Sequence, residues 1–486
     1  MQPSTDTSRK WWVLLSIGMG IFLSTIDGSI VNVALPTLED ELDTSFATVQ
    51  WVVVSYLLVV TSMMLGVGRL GDMIGKKKIY MTGMVLFTSA SLLCGLAPSV
   101  GFLIAFRALQ GAGAAMMQAL GIAIITEAFP RSERGRALGI SGTIVSLGIS
   151  LGPTIGGVLI GGVGWRSIFL VNLPVGAIGL AMVRRFVPDW RPPGGQQFDI
   201  IGAAIMFVTL VALALGLTFG PRTGWDDPAI LALLSGAFAG LIVFLAVESR
   251  REQPMVDLRL FRDPVFSISL LTGLMVFMII AGMFVLPFYL ELVKGFEPRR
   301  VGLFLTVVPA ALGLTAPVAG ALSDRYGSRG ISLAGLIVLV GACLSVSTLD
   351  AGTSTLGYIA RLLPLGLGAG LFQSPNNSAI MGAAPRERLG VASGLLALSR
   401  TLGQVTGIPL MGAIFASRVL SVAKLPASVD VTDAPPWAIV EGIQTAFAAG
   451  AGLMVLGVML SAVAFRLHCQ RAQAAARAGE SATADR

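Results

Sequence analysis

Fourteen stretches of predominantly apolar residues, each roughly 18 residues or longer, run through this 486-residue chain. They lie at approximately 12–35, 49–67, 79–97, 101–126, 136–160, 167–185, 198–219, 228–247, 265–292, 301–322, 331–349, 354–379, 389–416 and 441–465. A helix of about 20 residues crosses the ~30 Å hydrocarbon core of a bilayer, whereas a membrane strand needs only about 9–11. Inside lipid every backbone N–H and C=O must be paired within the protein, so segments this long and apolar read as helices. Charged residues make up 13% of the chain, too few to cover the surface of a soluble protein of this length. The expected fold class is an all-α polytopic membrane protein with 14 transmembrane helices.

The charges that remain set an orientation. With the N-terminus in the cytoplasm, that side holds most of the 34 Lys and Arg, among them Arg9, Lys10, Lys76, Lys77, Lys78, Arg131, Arg134, Arg136, Arg386 and Arg388. The opposite side holds Arg166, Arg222, Lys294, Arg299, Arg300, Arg418 and Lys424, and its first loop, "PTLEDELDTS", carries only acids. This bias follows the positive-inside rule and places both termini in the cytoplasm. The net charge of +7 therefore reflects membrane orientation and calls for no nucleic-acid partner. Arg9-Lys10 ahead of an apolar run could begin a signal peptide. That run continues through Asp27 and Asn32 to Pro36 without a small-x-small cleavage site, so an uncleaved first span is expected. Cys94, Cys343 and Cys469 are scattered and His468 is the single histidine. That pattern offers no disulfide framework, metal site or cofactor site.

An internal repeat organises the spans. "GRLGDMIGKK" (68–77) recurs as "GALSDRYGSR" (320–329) at an offset of 252, and "IAFRALQGAGAAMMQ" (104–118) shadows "IARLLPLGLGAGLFQ" (359–373) at 255. Two nearly equal offsets point to a duplicated half, the architecture of parallel transporter repeats. Spans seven and eight have no counterpart, so the chain reads as six plus two plus six. The expected units are a cytoplasmic N-terminus (1–11), a six-helix bundle (12–185), an inserted pair with its linkers (186–263), a second six-helix bundle (264–466) and a cytoplasmic tail without order (467–486). The inserted pair carries no mid-span charge and is expected at the periphery, outside any transport path.

"GRLGDMIGKKK" is Gly-rich and contains Gly-Lys, but it lacks the spacing and following Ser or Thr of a phosphate loop, and it follows a membrane span rather than a strand. Its Gly68, Leu70, Gly71, Asp72, Gly75, Lys76 and Lys77 instead resemble the loop signature of the major facilitator superfamily. "RALQGAGAA" from Arg107 resembles that superfamily's fourth-span motif, and "GISLGPTIGG" (148–157) resembles its antiporter motif. "IDGSIVNVALP", "WRSIFLVNLPVG" and "GVASGLLALSRTLG" are similar to stretches of its fourteen-span drug:proton antiporters. The resemblance runs from about residue 12 to 466. It implies the major facilitator fold, two pseudo-symmetric six-helix bundles around a central cavity. It also implies a proton-driven exporter of amphipathic or lipophilic organic compounds in a bacterial inner (plasma) membrane, acting as a monomer on protons and small molecules. An uptake or lipid-type transporter on the same scaffold is the alternative. A membrane-embedded enzyme or receptor is a remote third reading, disfavoured by the lack of catalytic clusters.

The residues bear on that reading individually. Gly148, Gly152 and Gly156 fall on one helix face, with Gly157 adjacent, and let a neighbouring helix approach closely, while Pro153 can bend the span. The resemblance makes this a hinge that limits leak, and packing alone is the plainer reading. Asp72 and Asp324 sit at helix junctions where an acid caps free N–H groups. The resemblance adds docking against the other half, with Gly68, Gly71, Gly75 and Lys76 around the first acid. Arg107, Arg361 and Arg400 lie within spans and keep their charge, so each needs an anion, a carbonyl, water or an interface. Asp27 is the one acid deep in the first half. Desolvation disfavours a carboxylate and a nearby Arg favours it, so an acid whose Arg partner withdraws can take up a proton. The resemblance implies that spans one and four both line the central cavity, which makes Asp27 and Arg107 the expected coupling pair, with a permanently paired Asp27 as the alternative. Glu291 is expected near the outer end of span nine, either paired with Lys294 or, as the resemblance implies, in a vestibule with a part in proton coupling or substrate entry. The substrate cavity is expected to be lined by Asn32, Gln110, Gln118, Gln373, Asn376 and Asn377, with Arg361 and Arg400. Spans two, ten and thirteen lack the acids of dication exporters, so neutral or anionic compounds are favoured over dications.

Overall fold

The computed structural model describes residues 7–44, 46–190, 198–251, 254, 256, 258–296, 298–426, 431 and 434–484. Fourteen helices among these residues are long and apolar enough to cross a membrane. The first six are α1 (Thr7–Glu41), α2 (Phe46–Ile74), α3 (Lys76–Gly95), α4 (Val100–Ala128), α5 (Arg134–Val163) and α6 (Asn172–Phe186). The inserted pair is α7 (Ile200–Thr223) and α8 (Pro228–Glu248). The last six are α9 (Pro264–Gly282), α10 (Val307–Tyr326), α11 (Ser328–Val346), α12 (Thr355–Ala383), α13 (Leu389–Ala423) and α14 (Pro436–Ala484). All-α architecture therefore holds, with the spans close to where hydropathy puts them.

Local chemistry starts several of these helices. Asp199 accepts from the Gly202 N–H at 2.9 Å ahead of α7. Asp227 and Asp263 accept from the N–H groups of Ala229 and Val265, each at 2.8 Å, and Pro228 and Pro264 follow at the first helical position. An Asp-Pro step of this kind satisfies a free donor and pre-sets the backbone dihedral. Span nine departs from a single regular helix. Beyond Gly282 it passes through Met283–Val285, Leu286–Phe288 and a wider turn at Tyr289–Val293, around Pro287, which has no N–H to donate. The last helix runs on beyond the expected span, since α14 continues to Ala484. Its "RAQAAARAGESATA" is rich in Ala, the strongest helix former.

The repeat is visible in how the helices touch. A Cβ added at Gly113 of α4 would lie 2.5 Å from the Phe87 nitrogen and 2.7 Å from the Gly83 carbonyl of α3. Gly335 and Gly368, the counterparts at offsets 252 and 255, bring α11 and α12 together in the same way, with a Gly368 Cβ 3.1 Å from the Gly335 carbonyl. Gly111 meets the Tyr56 carbonyl of α2, and its counterpart Gly366 meets the Val308 carbonyl of α10. Between the halves, α5 runs beside α10 and α2 beside α13. The α7 helix packs on α8, α2 and α13, and much of α8 is exposed, including Leu231, Phe238 and Ile242. The inserted pair is thus peripheral, with α7 as its inner member.

Without a hydrophobic drive between helices in lipid, contact at glycines is a main source of association. Gly113→Leu should force α3 and α4 apart and destabilise the protein by about 1–3 kcal/mol. Gly236→Leu on α8, where an added Cβ meets nothing within 4 Å, should be neutral. Thermal unfolding midpoints of the two purified variants in detergent check the contrast.

Candidate functional site

Two carboxylates join the halves at one end of the molecule. Asp72, buried at the end of α2, accepts from the backbone N–H groups of Gly390 and Val391 at 2.8 and 2.9 Å, in the first turn of α13. Asp324, half-buried at the end of α10, accepts from Gly135 and Arg136 at the same two distances, in the first turn of α5. An acid at a helix N-terminus meets unpaired donors and the positive end of the helix dipole. Glycine permits the approach: a Cβ at Gly68 would lie 2.6 Å from the Gly390 carbonyl. Around the first acid, Lys76 bridges Asp72 at 2.9 Å and Glu127 at 2.8 Å. Gly71 faces the Leu120 side chain, and Gly75 takes a φ of +106° between α2 and α3, where a side chain would be strained.

A second constellation lies inside the first six helices. Arg107 Nη1 donates to Asp27 Oδ2 at 2.6 Å and to Gln110 Oε1 at 2.7 Å, and Arg107 Nε donates to the Val52 carbonyl at 3.0 Å. Asp27 Oδ1 accepts from Gln110 Nε2 and from Asn172 Nδ2, each at 2.9 Å. Both amides also donate to the Ser91 hydroxyl, at 2.6 and 3.2 Å. The Tyr56 ring lies 4.3 Å from the guanidinium carbon. Asp27, Arg107, Gln110 and Asn172 are each at most 1% exposed. Three positions apart on α4, Arg107 and Gln110 share a face and converge on the same acid. Every one of these partners belongs to residues 27–172, so the pair is enclosed within one bundle rather than facing across to the other.

A model of the Major Facilitator Superfamily matches residues 17–408. The chain belongs to the major facilitator superfamily. It is 36% identical over 417 residues to the riboflavin transporter RibZ of Clostridioides difficile, covering 84% of this chain and 89% of that protein. It is also 36% identical over 406 residues to the multidrug resistance protein Stp of Mycobacterium tuberculosis, covering 83% and 75%. The solved structure of the human organic anion transporter MFSD10 matches with a TM-score of 0.65 at 16% identity, over 93% of this chain and 99% of that one, which speaks to the fold alone. This superfamily member is a multi-pass membrane transporter of small molecules and not an enzyme.

Other residues singled out by sequence fall in separate places. Arg361 lies near the start of α12, where it donates to Thr348 Oγ1 at 3.0 Å and to the Gly357 carbonyl at 3.1 Å, close to that end of the helix rather than in mid-span. Glu291 is exposed and does not pair with Lys294, whose ammonium donates to the Ala351 carbonyl at 2.6 Å. Arg400 stays within the second bundle, 5.5 Å from the Phe277 ring centroid. Gln373 and Asn377 are buried on α12, as is Asn376, which donates to the Ser269 carbonyl at 3.0 Å; Gln118 is half-buried on α4. Gly148 and Gly152 seat Thr25 and Ser29 of α1, and Ser29 donates to the Gly148 carbonyl at 3.0 Å. The next contact of that face comes from Gly156, whereas Gly157 looks onto open space, so it is Gly156 that packs. The side chains of Asn32 and Pro153 lie outside the described residues. Asn172, Ser91 and Tyr56 were not singled out as site residues. Only Asn172 carried a signal, as the one amide within "WRSIFLVNLPVG".

Removing one member of a buried ion pair leaves an uncompensated charge and costs about 3–5 kcal/mol. Arg107→Met should destabilise on that scale, and Asp27→Asn in the same chain should recover most of the loss. Asp27→Asn alone leaves the guanidinium with Gln110, the Val52 carbonyl and the Tyr56 ring, and should cost less. Denaturation midpoints of the two single variants and the double variant read out this coupling.

Proposed function

We propose that this chain is a proton-coupled antiporter that exports amphipathic or lipophilic organic molecules by alternating access, as a monomer in a bacterial plasma membrane. The similarity to a multidrug resistance protein supports export. The observation that carries the coupling is the buried Asp27–Arg107 pair, the one ion pair sealed inside the first bundle among the described residues. The joined end of the molecule carries Lys76, Lys77, Lys78, Arg131, Arg134, Arg136, Arg386 and Arg388. By the positive-inside rule that end is cytoplasmic, and so are both termini. Asp72 and Asp324 then latch the halves on the cytoplasmic side, which corresponds to an outward-facing state.

Arg107 reaches Asp27 through a single guanidinium nitrogen. A small shift of α4 relative to α1 therefore breaks the ion pair and carries Gln110 away with Arg107, while Asn172 of α6 still holds Oδ1. An unpaired carboxylate in a low-dielectric interior is costly, and taking up a proton removes that cost. Return of Arg107 expels the proton. One charge moving down 100 mV supplies about 2.3 kcal/mol, enough to support a useful substrate gradient.

Asp27→Asn should abolish substrate-driven proton movement while leaving membrane insertion and ligand binding largely intact. The measurement is lumenal pH in proteoliposomes on substrate addition; acidification equal to the parent's would place coupling elsewhere. Substrate charge supplies a further test. The Asp27 carboxylate is fully engaged by Arg107, Gln110 and Asn172, and Arg400 adds positive charge. Monocationic dyes should therefore leave at least about five-fold faster than dications of matched size, since each unpaired charge adds a desolvation cost. Equal efflux rates would remove the charge argument. The equal identity to a riboflavin transporter supports a second reading, a carrier of riboflavin-like compounds. Flux of labelled riboflavin under imposed and reversed pH gradients decides between the two.

A further inference from the structure

Between α2, α7 and α13 lies a cavity of about 480 Å3. It sits away from the latches. Val54 and Leu57 are in the half of α2 remote from Asp72, and Ile408 and Ala413 are in the half of α13 remote from Gly390. The third wall is the inserted helix, through Leu217 and Thr218. None of the described lining residues carries a charge. The Thr61 hydroxyl donates to the Leu57 carbonyl at 2.7 Å, so that wall presents mainly carbon. Two aromatic rings, Trp225 and Phe284, complete the lining. Missing side chains make room for both: a Cβ at Gly220 would strike the Trp225 ring, and one at Gly412 would lie 3.0 Å from Phe284 Cζ.

We propose that this cavity binds neutral, aromatic amphipaths and that the inserted helix α7 is its membrane-side wall. The volume falls in the range of about 300–1,000 Å3 typical of small-molecule sites. An ion entering such a lining loses its hydration without gaining a counter-charge, so neutral molecules are selected. Aromatic ligands gain further from the faces and edges of the two rings. Because α2 and α13 belong to opposite halves, a molecule held here touches both, and its affinity depends on their relative position. The α7 helix thus contributes to the ligand route, which the expectation of a bystander pair did not include. Calling the ligand a substrate rests on the export reading; the existence of the site does not.

The probe is N-phenyl-1-naphthylamine, a neutral aromatic dye that fluoresces in apolar surroundings, titrated onto the full-length protein in nanodiscs. The parent should show a saturable component above lipid partitioning. Ala413→Phe and Thr218→Phe fill the cavity from opposite walls and should each weaken that component at least about ten-fold, or 1.4 kcal/mol. Ala413→Phe combined with Leu217→Ala restores volume and should bind within about three-fold of the parent, by the same conversion. Such a rescue shows that the single variant is folded. Phe238→Ala on the exposed face of α8 should bind as the parent does. No saturable component in the parent, unchanged binding in both filling variants, or no rescue in the double variant would overturn the site. Proton-driven dye export measured in parallel separates the two readings. Binding without export keeps the site and removes its role in transport, and export without saturable binding at this cavity does the reverse.

Discussion

Four backbone N–H groups and two carboxylates hold the two bundles together at one end, and the rest of the arrangement follows from how that contact is made. Helix starts always leave donors unpaired. In lipid-embedded proteins those donors must be met from within the chain or at the interface. Here each of two starts, at α5 and α13, is met by an acid from the end of a helix in the opposite half. Charge-assisted hydrogen bonds of this type contribute about 1.5–3 kcal/mol each when partly shielded from water. That is strong enough to favour one arrangement of the halves and weak enough to be undone by a coupling of a few kcal/mol. Glycine at 68, 135, 320 and 390 completes the fit, because the backbones meet where any side chain would intrude.

The spans and the duplicated half were legible in the sequence because they rest on periodicity and on repeated spacing, whereas the docking of Asp72 and Asp324 across the halves was implied only by the family resemblance. Span lengths follow from hydropathy, and the 252 and 255 offsets anticipate which glycines oppose which carbonyls. The pairing of Asp27 with Arg107 was anticipated only through the family resemblance, which puts spans one and four on a common cavity; the sequence alone did not show the contact. The enclosure of that pair was not anticipated. Whether a side chain on a helix faces its own bundle or the neighbouring one depends on rotation about the helix axis, and an all-apolar span gives little moment to set it. Asn172 and Ser91 escaped for a related reason: a single amide or hydroxyl in a span reads as an ordinary small polar residue until its neighbours are known. Arg361 lies barely two turns into its helix, where sequence cannot separate a cavity residue from an interfacial one.

The inserted pair shows the same limit from the other side. With no charge in mid-span, α7 and α8 read as lipid-facing packing, and α8 is largely that. Yet α7 touches a helix from each bundle, and its contribution to the cavity comes from Leu217, Thr218 and the space left by Gly220. Shape rather than chemistry makes that wall, and shape depends on which helices happen to adjoin.

The exchanged latches also carry a trace of history. If the two halves were once separate copies of one six-helix protein, a symmetric dimer would have made both contacts from a single sequence, each copy's acid seated on the other's helix. Any substitution there would have struck both contacts at once. Fusion into one chain lifted that restriction, and the two sites have since drifted apart. Lys76 and Glu127 flank Asp72, but their counterparts at offsets 252 and 255 are Ser328 and Gly382, which leave Asp324 with backbone donors and no lysine. Joining the copies thus freed one lock to become stiffer than its twin, an asymmetry that no pair of identical subunits can evolve.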